Sequence, residues 1–313
     1  MRSDSEMAAV RHRTVEVASG VRLHVRGVGP GGWPHGAARA RLPGALVLVA
    51  PPDGRARLPW VPRRAPDLRG YDDSSTPPGR ESYTVLHLVG DLVALIADLG
   101  RPHLCLLRPD LVTGLVNLSV EYQPRHPRMS VLQAARAACG DDHYVCRFQK
   151  PGVAEAEFAR LDLKHLFKMV FGMRRPATLI LPQDKTFFDA LDSDGTCAAW
   201  LSEDDISYYA EKFNKTGFTG GFNYYRCMDL DWELTAPWTG APINVPTKFI
   251  VGSLDLTYNT PGVKDYIHKG GFKANVPNLE DVIVMEGVGH FINQEKPDEV
   301  SDHICEFFSK FLV

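Results

Sequence analysis

The stretch VIVMEGVGHFINQEKPDEV, Val282–Val300, decides the fold. It opens on Val282-Ile283-Val284-Met285, a run of β-formers suited to a buried strand. Glu286-Gly287-Val288-Gly289 ends that run, and a single histidine, His290, follows. From Pro297 a helical pattern sets in, with Val300, Ile304, Phe307, Phe308 and Phe311 on one face, predicting a helix over 297–312. Just upstream, TKFIVG (247–252) reads as a second strand, and Asp255 follows it.

Strands separated by helices imply a mostly parallel sheet, and in open sheets of that kind functional groups collect at the carboxyl ends of strands. Asp255 and His290 both fall there. Spacing leaves two readings open. Asp255 orients His290 as a catalytic base, or Asp255 caps a turn and His290 is an ordinary loop histidine.

Farther toward the N-terminus, residues 130–240 are mostly helical in pattern and rich in Phe, Tyr and Trp, which predicts a helical lid inserted between strands. One helix start within it is plain: Ser202 with Asp205 three places later, as in a capping box. LVTGLVNLSV (111–120) predicts a buried strand. VLHLVGDLVALIADLG (85–100) predicts an amphipathic helix stopped at Gly100. Residues 66–77 form a turn-rich loop, and 12–25 alternate about a Ser-Gly turn as a β-hairpin. Between 27 and 66 the texture changes: Gly (7), Pro (8), Ala (7) and Arg (6) make up 28 of 40 residues. That composition cannot build regular elements, so the stretch is expected to be irregular except for a strand at 45–50.

The whole chain has 313 residues and a formal net charge of −3, so no global field recruits nucleic acid or an anionic membrane. Six scattered cysteines form no C-x-x-C pair, which argues against a zinc site or a disulfide framework. No stretch reaches a membrane-spanning length, and residues 1–10 carry no signal-peptide pattern; the expectation is a cytoplasmic protein, monomeric or homodimeric.

From Pro66 onward the chain resembles the plant-type soluble epoxide hydrolases of the α/β-hydrolase superfamily. The resemblance rests on PDLRGY (66–71), HLVGDLVALI (87–96), RFQKPGVAEAEFA (147–159), WLSEDDISYYAEKFNKTGFTGGFNYYR (200–226), WELTAPWTGAPINVPTKFIVG (232–252) and EGVGHFINQEKP (286–297). It implies an α/β-hydrolase core in two parts, 1–120 and 241–313, with a lid at 121–240. It also implies an ether-bond hydrolase that needs no cofactor or metal and opens a small apolar epoxide to a vicinal diol. In the family a carboxylate attacks the epoxide to form an ester, and a histidine-activated water cleaves that ester. His290 matches the base and Asp255 the acid that orients it. Tyr144 and Tyr225 match two lid tyrosines that hydrogen-bond the epoxide oxygen. Tyr224, next door, is expected to pack.

Two parts of the family pattern are missing. The nucleophile elbow, His-Asp-Trp-Gly in this family, belongs between the helix at 85–100 and the strand at 111–120. The chain reads LGRPHLCLLRPDLV (99–112) there, with no elbow. Only four residues, 103–106, separate Pro102 from the Leu-Arg-Pro-Asp that matches the end of the family's next helix. That is too short for a strand of about five residues and a helix of about ten, so the expectation is no nucleophile and no central elbow strand. Asp110 matches a helix end remote from the site. The oxyanion segment, His-Gly-x-Pro after the first core strand, is replaced by PPDGRARLPW (51–60), and His35-Gly36 precedes that strand. Asp72 stands where the family has glycine, which predicts a strained loop. An altered reading frame or splice product of an intact gene accounts for both gaps and for the Ala/Arg/Gly/Pro-rich stretch. These residues predict either an epoxide hydrolase by descent without its covalent route or a non-catalytic binder of apolar ligands.

Overall fold

The computed structural model describes residues 11–17, 20–28, 48–49, 63–98, 112, 114–174, 179–182, 184–191 and 198–311. Strands β1 (Arg11–Glu16) and β2 (Arg22–Val28) form the expected hairpin, turned at Gly20 with φ 72°. Alternate residues Val15, Val17, Val21, Leu23 and Val25 face inward. They pack on Leu95 of α1 (Val85–Asp98), the amphipathic helix expected there. Short strands β3 (Leu48–Val49) and β4 (Arg63–Pro66) complete a sheet of order β1-β2-β4-β3, in which every ladder is antiparallel.

A second sheet, order β5-β6-β7, is parallel: β5 (Leu115–Leu118), β6 (Thr247–Gly252) and β7 (Leu279–Met285). Central β6 is buried along its whole length. Phe249 and Val251 face Tyr258, Val263, Ile267 and Phe272, and Ile250 faces Met285, Val288, Ile292 and Val300. The helices that supply these partners are α10 (Val263–His268), α11 (Gly271–Asn275), α12 (Ile292–Glu295) and α13 (Pro297–Ser309). The lid between β5 and β6 contributes α2 (Val131–Cys139), α3 (Tyr144–Arg147), α4 (Val153–Phe158), α5 (Leu163–Gly172), α6 (Phe187–Ala190), α7 (Glu203–Thr216), α8 (Thr219–Arg226) and α9 (Met228–Leu234). Ser202 caps α7 as expected, accepting from the Asp205 amide while the Asp205 carboxylate takes the Ser202 amide.

Three details differ from the sequence reading. Residues 63–66 form a strand inside the stretch expected to be irregular, because pairing with β2 overrides their poor β-propensity. β5 is half-buried rather than buried, and among the described residues it pairs with β6 alone. Beyond the expected hairpin, β4 pairs antiparallel with both β2 and β3, where a mostly parallel sheet is expected. The expectation of a missing elbow strand, together with Gly100, Asp110, His35-Gly36 and the 51–60 segment, falls outside the described residues. Among the described residues no ladder joins β3 to β5, and the two sheets stand as separate hydrogen-bonded units.

Charged and phenolic groups tie the lid to the N-terminal sheet. Asp72 adopts φ 49°, a left-handed conformation, where its replacement of glycine predicts a strained loop. In that pose its buried carboxylate meets Arg26 of β2, accepts from the Tyr208 hydroxyl at 2.6 Å and lies 2.6 Å from Lys212 Nζ, both on α7. Arg26 also donates to Tyr208 Oη at 2.8 Å, and Lys212 pairs with Asp73 at 2.5 Å. Nearby, His24 Nδ1 and Asp67 Oδ2 are 2.6 Å apart.

Asp72→Ala is expected to lower unfolding free energy by about 3 kcal/mol, since it strips partners from two largely buried cations; a urea titration checks this, and an unchanged midpoint contradicts it. Burial pushes Tyr71 and Tyr83 up to about 12, from an ordinary value of 10.0. Their protonated forms therefore favour the folded state below pH 10, and that contribution is lost as pH rises toward 12. Thermal stability should be unaffected by these groups at neutral pH and fall above about pH 10, with phenol ionisation followed at 295 nm.

Candidate active site

The site is set by how closely two strand ends approach. At Gly252, the last residue of β6, a Cβ would lie 2.2 Å from the Val288 carbonyl oxygen and 2.5 Å from that of Gly289. Glycine alone allows the loop after β7 to cross the end of β6 at that range. Leu254 N–H donates to Val288 O at 3.0 Å, which locks the two loops together. Asp255 and His290 stand on these loops, one from each.

Asp255 is fully buried, and its Oδ2 lies 2.9 Å from His290 Nδ1. Its other oxygen, Oδ1, accepts from the Thr257 amide at 2.7 Å and sits 2.7 Å from the Thr257 hydroxyl. That hydroxyl also stands 3.0 Å from the Ser119 carbonyl, at the end of β5. Ser119, itself at φ 66°, donates to the His290 carbonyl at 2.6 Å. Three strand ends are thereby stitched around one carboxylate–imidazole pair. The carboxylate fixes Nδ1–H toward itself and leaves Nε2 as the acceptor. His290 Nε2 has no partner among the described residues, and the side chain is about a quarter exposed at 27%. An imidazole held this way can take a proton from a water molecule.

The lid grips the histidine loop from outside. Gly289 N–H donates to Glu295 at 2.9 Å, and Arg174 both pairs with Glu295 and donates to Gly287 O at 2.8 Å. The Tyr209 hydroxyl is 2.8 Å from Gln294 Oε1, and Phe171 meets Phe291 edge-on at 4.7 Å.

Tyr144 opens α3 and Tyr225 lies near the end of α8. Their rings stand edge-to-face at 5.8 Å, and Gln149 joins the two helices by donating to Val145 O and Tyr225 O. Neither hydroxyl has a hydrogen-bond partner among the described residues. Burial raises both phenols above their ordinary range; a smaller push comes to Tyr144 from the Asp255 charge and to Tyr225 from Tyr144 and Tyr71. Both stay protonated, as donors, at neutral pH. Around them Phe148, Phe158, Phe187 and Phe222 form an aromatic wall. Among the described residues no hydrogen bond or ring contact joins these tyrosines to His290; the Asp255 charge acts on Tyr144, and Tyr225 is reached through Tyr144. Tyr224 packs as expected, its hydroxyl donating to Arg69 O at 2.8 Å.

Sequence reasoning passed over Thr257, Ser119, Glu295 and Gly252. A T-x-x pattern or a lone glycine carries no signal of its own, and their roles exist only where loops from different strands meet. Glu121, two residues beyond Ser119, is a further buried carboxyl, raised chiefly by burial and bonded to Gln123 at 2.5 Å. Among the described residues no cluster of His, Cys, Asp or Glu is placed to hold a metal ion, and no helix is long and apolar enough to cross a membrane.

No protein-family model matches the chain. Individual proteins do. Epoxide hydrolase 1 of Siraitia grosvenorii is 47% identical, covering 97% of this chain and 100% of its own length. Epoxide hydrolase A of Mycobacterium tuberculosis is 32% identical over 78% of this chain and 81% of its own. Among solved structures, an epoxide hydrolase of Vigna radiata superposes with a TM-score of 0.83 at 42% identity, covering 99% of this chain and 100% of that one. A mutant of the Solanum tuberosum epoxide hydrolase superposes at 0.84, with 41% identity and coverage of 96% and 100%. Likeness of this extent over both sequence and fold leaves one assignment: the chain belongs to the epoxide hydrolase family of the α/β-hydrolase superfamily.

Proposed function

We propose that this protein retains the family's hydrolytic machinery, His290–Asp255 with Tyr144 and Tyr225, and lacks the aspartate that opens the epoxide covalently. The observation that carries the reading is a pair of facts about one site. His290 is held by Asp255 at 2.9 Å with Nε2 open, while no His-Asp-Trp-Gly occurs between α1 and β5. The match to the Siraitia protein is in keeping with it: the alignment extends over 328 positions while covering 97% of the 313 residues here, so the relative carries residues with no counterpart in this chain.

The chemistry left to these groups is direct hydration. His290 Nε2 takes a proton from water as the water oxygen attacks an epoxide carbon. The C–O bond breaks, and the resulting alkoxide takes the proton of Tyr144 or Tyr225. Asp255 stabilises the imidazolium until it returns its proton, through solvent, to the tyrosinate. Epoxide plus water gives the vicinal diol, with no ester between. The aromatic wall around the two phenols suits an apolar epoxide. Without a nucleophile the rate is small.

A second reading, a non-catalytic binder of apolar oxygen-bearing ligands, is favoured by the unpaired phenols in that same wall. In either case the near-neutral charge fits a cytoplasmic monomer or homodimer without a nucleic-acid partner. An altered transcript remains the simplest source of the residues at 27–66; sequencing the message tests it, and a message encoding these residues in frame as its sole product contradicts it.

Turnover of stilbene oxide is expected to run roughly 10⁴-fold below that of the Vigna radiata enzyme, and His290→Ala should abolish what remains. Residual turnover indifferent to that substitution would remove water activation. A rate equal to the relative's would remove the proposal altogether.

A further inference from the structure

We propose that Tyr71, on the core loop after β4, is a third hydroxyl contact in the ligand site, reading a second oxygen atom of the substrate beside the one met by Tyr144 and Tyr225. The inference rests on the functional reading above and narrows its substrate class to apolar epoxides that carry a further hydrogen-bond acceptor.

Placement comes first. The loop carrying Tyr71 touches helix α8 backbone to backbone. A Cβ on Gly70, at φ 84°, would lie 2.9 Å from Gly220 Cα, and one on Gly220 would lie 2.6 Å from Gly70 O. Two facing glycines fix how far Tyr71 reaches over the helix. Its hydroxyl end then covers Gly221. A Cβ there would meet Tyr71 Oη at 3.1 Å and its Cε1 and Cζ at 3.6 Å, the three nearest atoms. Gly221 and Tyr225 are four residues apart on α8 and share a face, about 6 Å along the axis.

Satisfaction comes second. Tyr71, Tyr83 and Tyr224 form one aromatic group, with Tyr71–Tyr224 centroids 5.6 Å apart and Tyr83–Tyr224 centroids 5.3 Å apart. Tyr83 donates to Pro77 O and Tyr224 to Arg69 O, each at 2.8 Å. The Tyr71 hydroxyl has no such partner among the described residues. In that it resembles Tyr144 and Tyr225 rather than its packing neighbours. The ring is half-buried, yet its oxygen is not among the enclosed polar atoms that lack a partner, so it opens onto accessible space where a ligand oxygen can meet it. The charge of an ionised Tyr71 would also reach Tyr225, which places the two phenols in one electrostatic neighbourhood.

Two phenols suffice for a ring oxygen. A third, about one helical turn along the same face, is set to meet an oxygen about 6 Å farther on, such as a hydroxyl, ether or carbonyl substituent.

The test compares dissociation constants of trans-stilbene oxide and its 4-methoxy derivative for the full-length protein, measured by calorimetry. Tyr71→Phe should weaken the methoxy ligand about 5- to 10-fold, the worth of one hydrogen bond, and leave stilbene oxide unchanged. Gly221→Ala, which pushes the Tyr71 hydroxyl aside, should reproduce the effect. Tyr71→Phe removes an unpaired hydroxyl, so its melting temperature should hold. Unchanged binding of both ligands by Tyr71→Phe, with Tyr225→Phe weakening both, would overturn the Tyr71 inference and leave the functional reading standing. Failure of both ligands to bind the unsubstituted protein would overturn both, and failure of the methoxy ligand alone would overturn the Tyr71 inference.

Discussion

The passage of Val288 and Gly289 across the face of Gly252 is the constraint on which the site depends. A side chain at 252 would collide with two backbone carbonyl oxygens, and the loops bearing Asp255 and His290 would part. Held together, they bring a fully buried carboxylate to an imidazole, with Thr257 of the same loop holding the carboxylate and Ser119, at the end of β5, bonded to Thr257 and to the His290 carbonyl. Asp255 is tolerable in the interior because its oxygens face the His290 ring, an amide and a hydroxyl at 2.7–2.9 Å. The same bonds that stabilise the buried charge set the tautomer of His290.

The lid does structural work beyond carrying Tyr144 and Tyr225. Toward the N-terminal sheet it offers Tyr208 and Lys212 to Asp72 and Arg26, and Gly220 to Gly70. Toward the C-terminal sheet it offers Arg174 to Glu295 and Tyr209 to Gln294. Helix α7 carries both Tyr208 and Tyr209, facing opposite sheets from adjacent positions. Because no described ladder joins β3 to β5, these polar contacts give the two sheets a common partner. A buried ionic cluster of this kind adds little net stability over an apolar one, yet losing one member is costly, and it fixes the lid's register on the core.

Much of this was legible in the sequence because periodicity and burial agree there. β6 and β7 read as strands since both are short apolar runs bounded by turn residues, and α7 announced itself through Ser202 and Asp205. Asp72 in a glycine position foretold a strained loop, and its φ of 49° is the form that strain takes; its use as a clamp for Arg26, Tyr208 and Lys212 was not foretold, since those partners lie 46, 136 and 140 positions away in the chain. Arg63–Pro66 escaped notice because its strand character comes from β2, not from its own residues. In the site, the order acid-then-histidine was readable. The fixing groups, Thr257, Ser119 and Glu295, were not, as common polar residues signal nothing until strand ends converge. The Tyr71 hydroxyl was hidden for a related reason: two glycines in distant segments bring it to α8.

The central claim is that the hydrolytic half of a two-step reaction survives here without the carboxylate that begins it. Intact-protein mass spectrometry after rapid quench, with a slowly turned-over epoxide in excess, tests it most directly. The account predicts an unmodified mass at every time point, including with His290→Ala, where any ester would accumulate. A mass gain of one substrate, mapped by peptide sequencing to an aspartate or glutamate side chain, would contradict it.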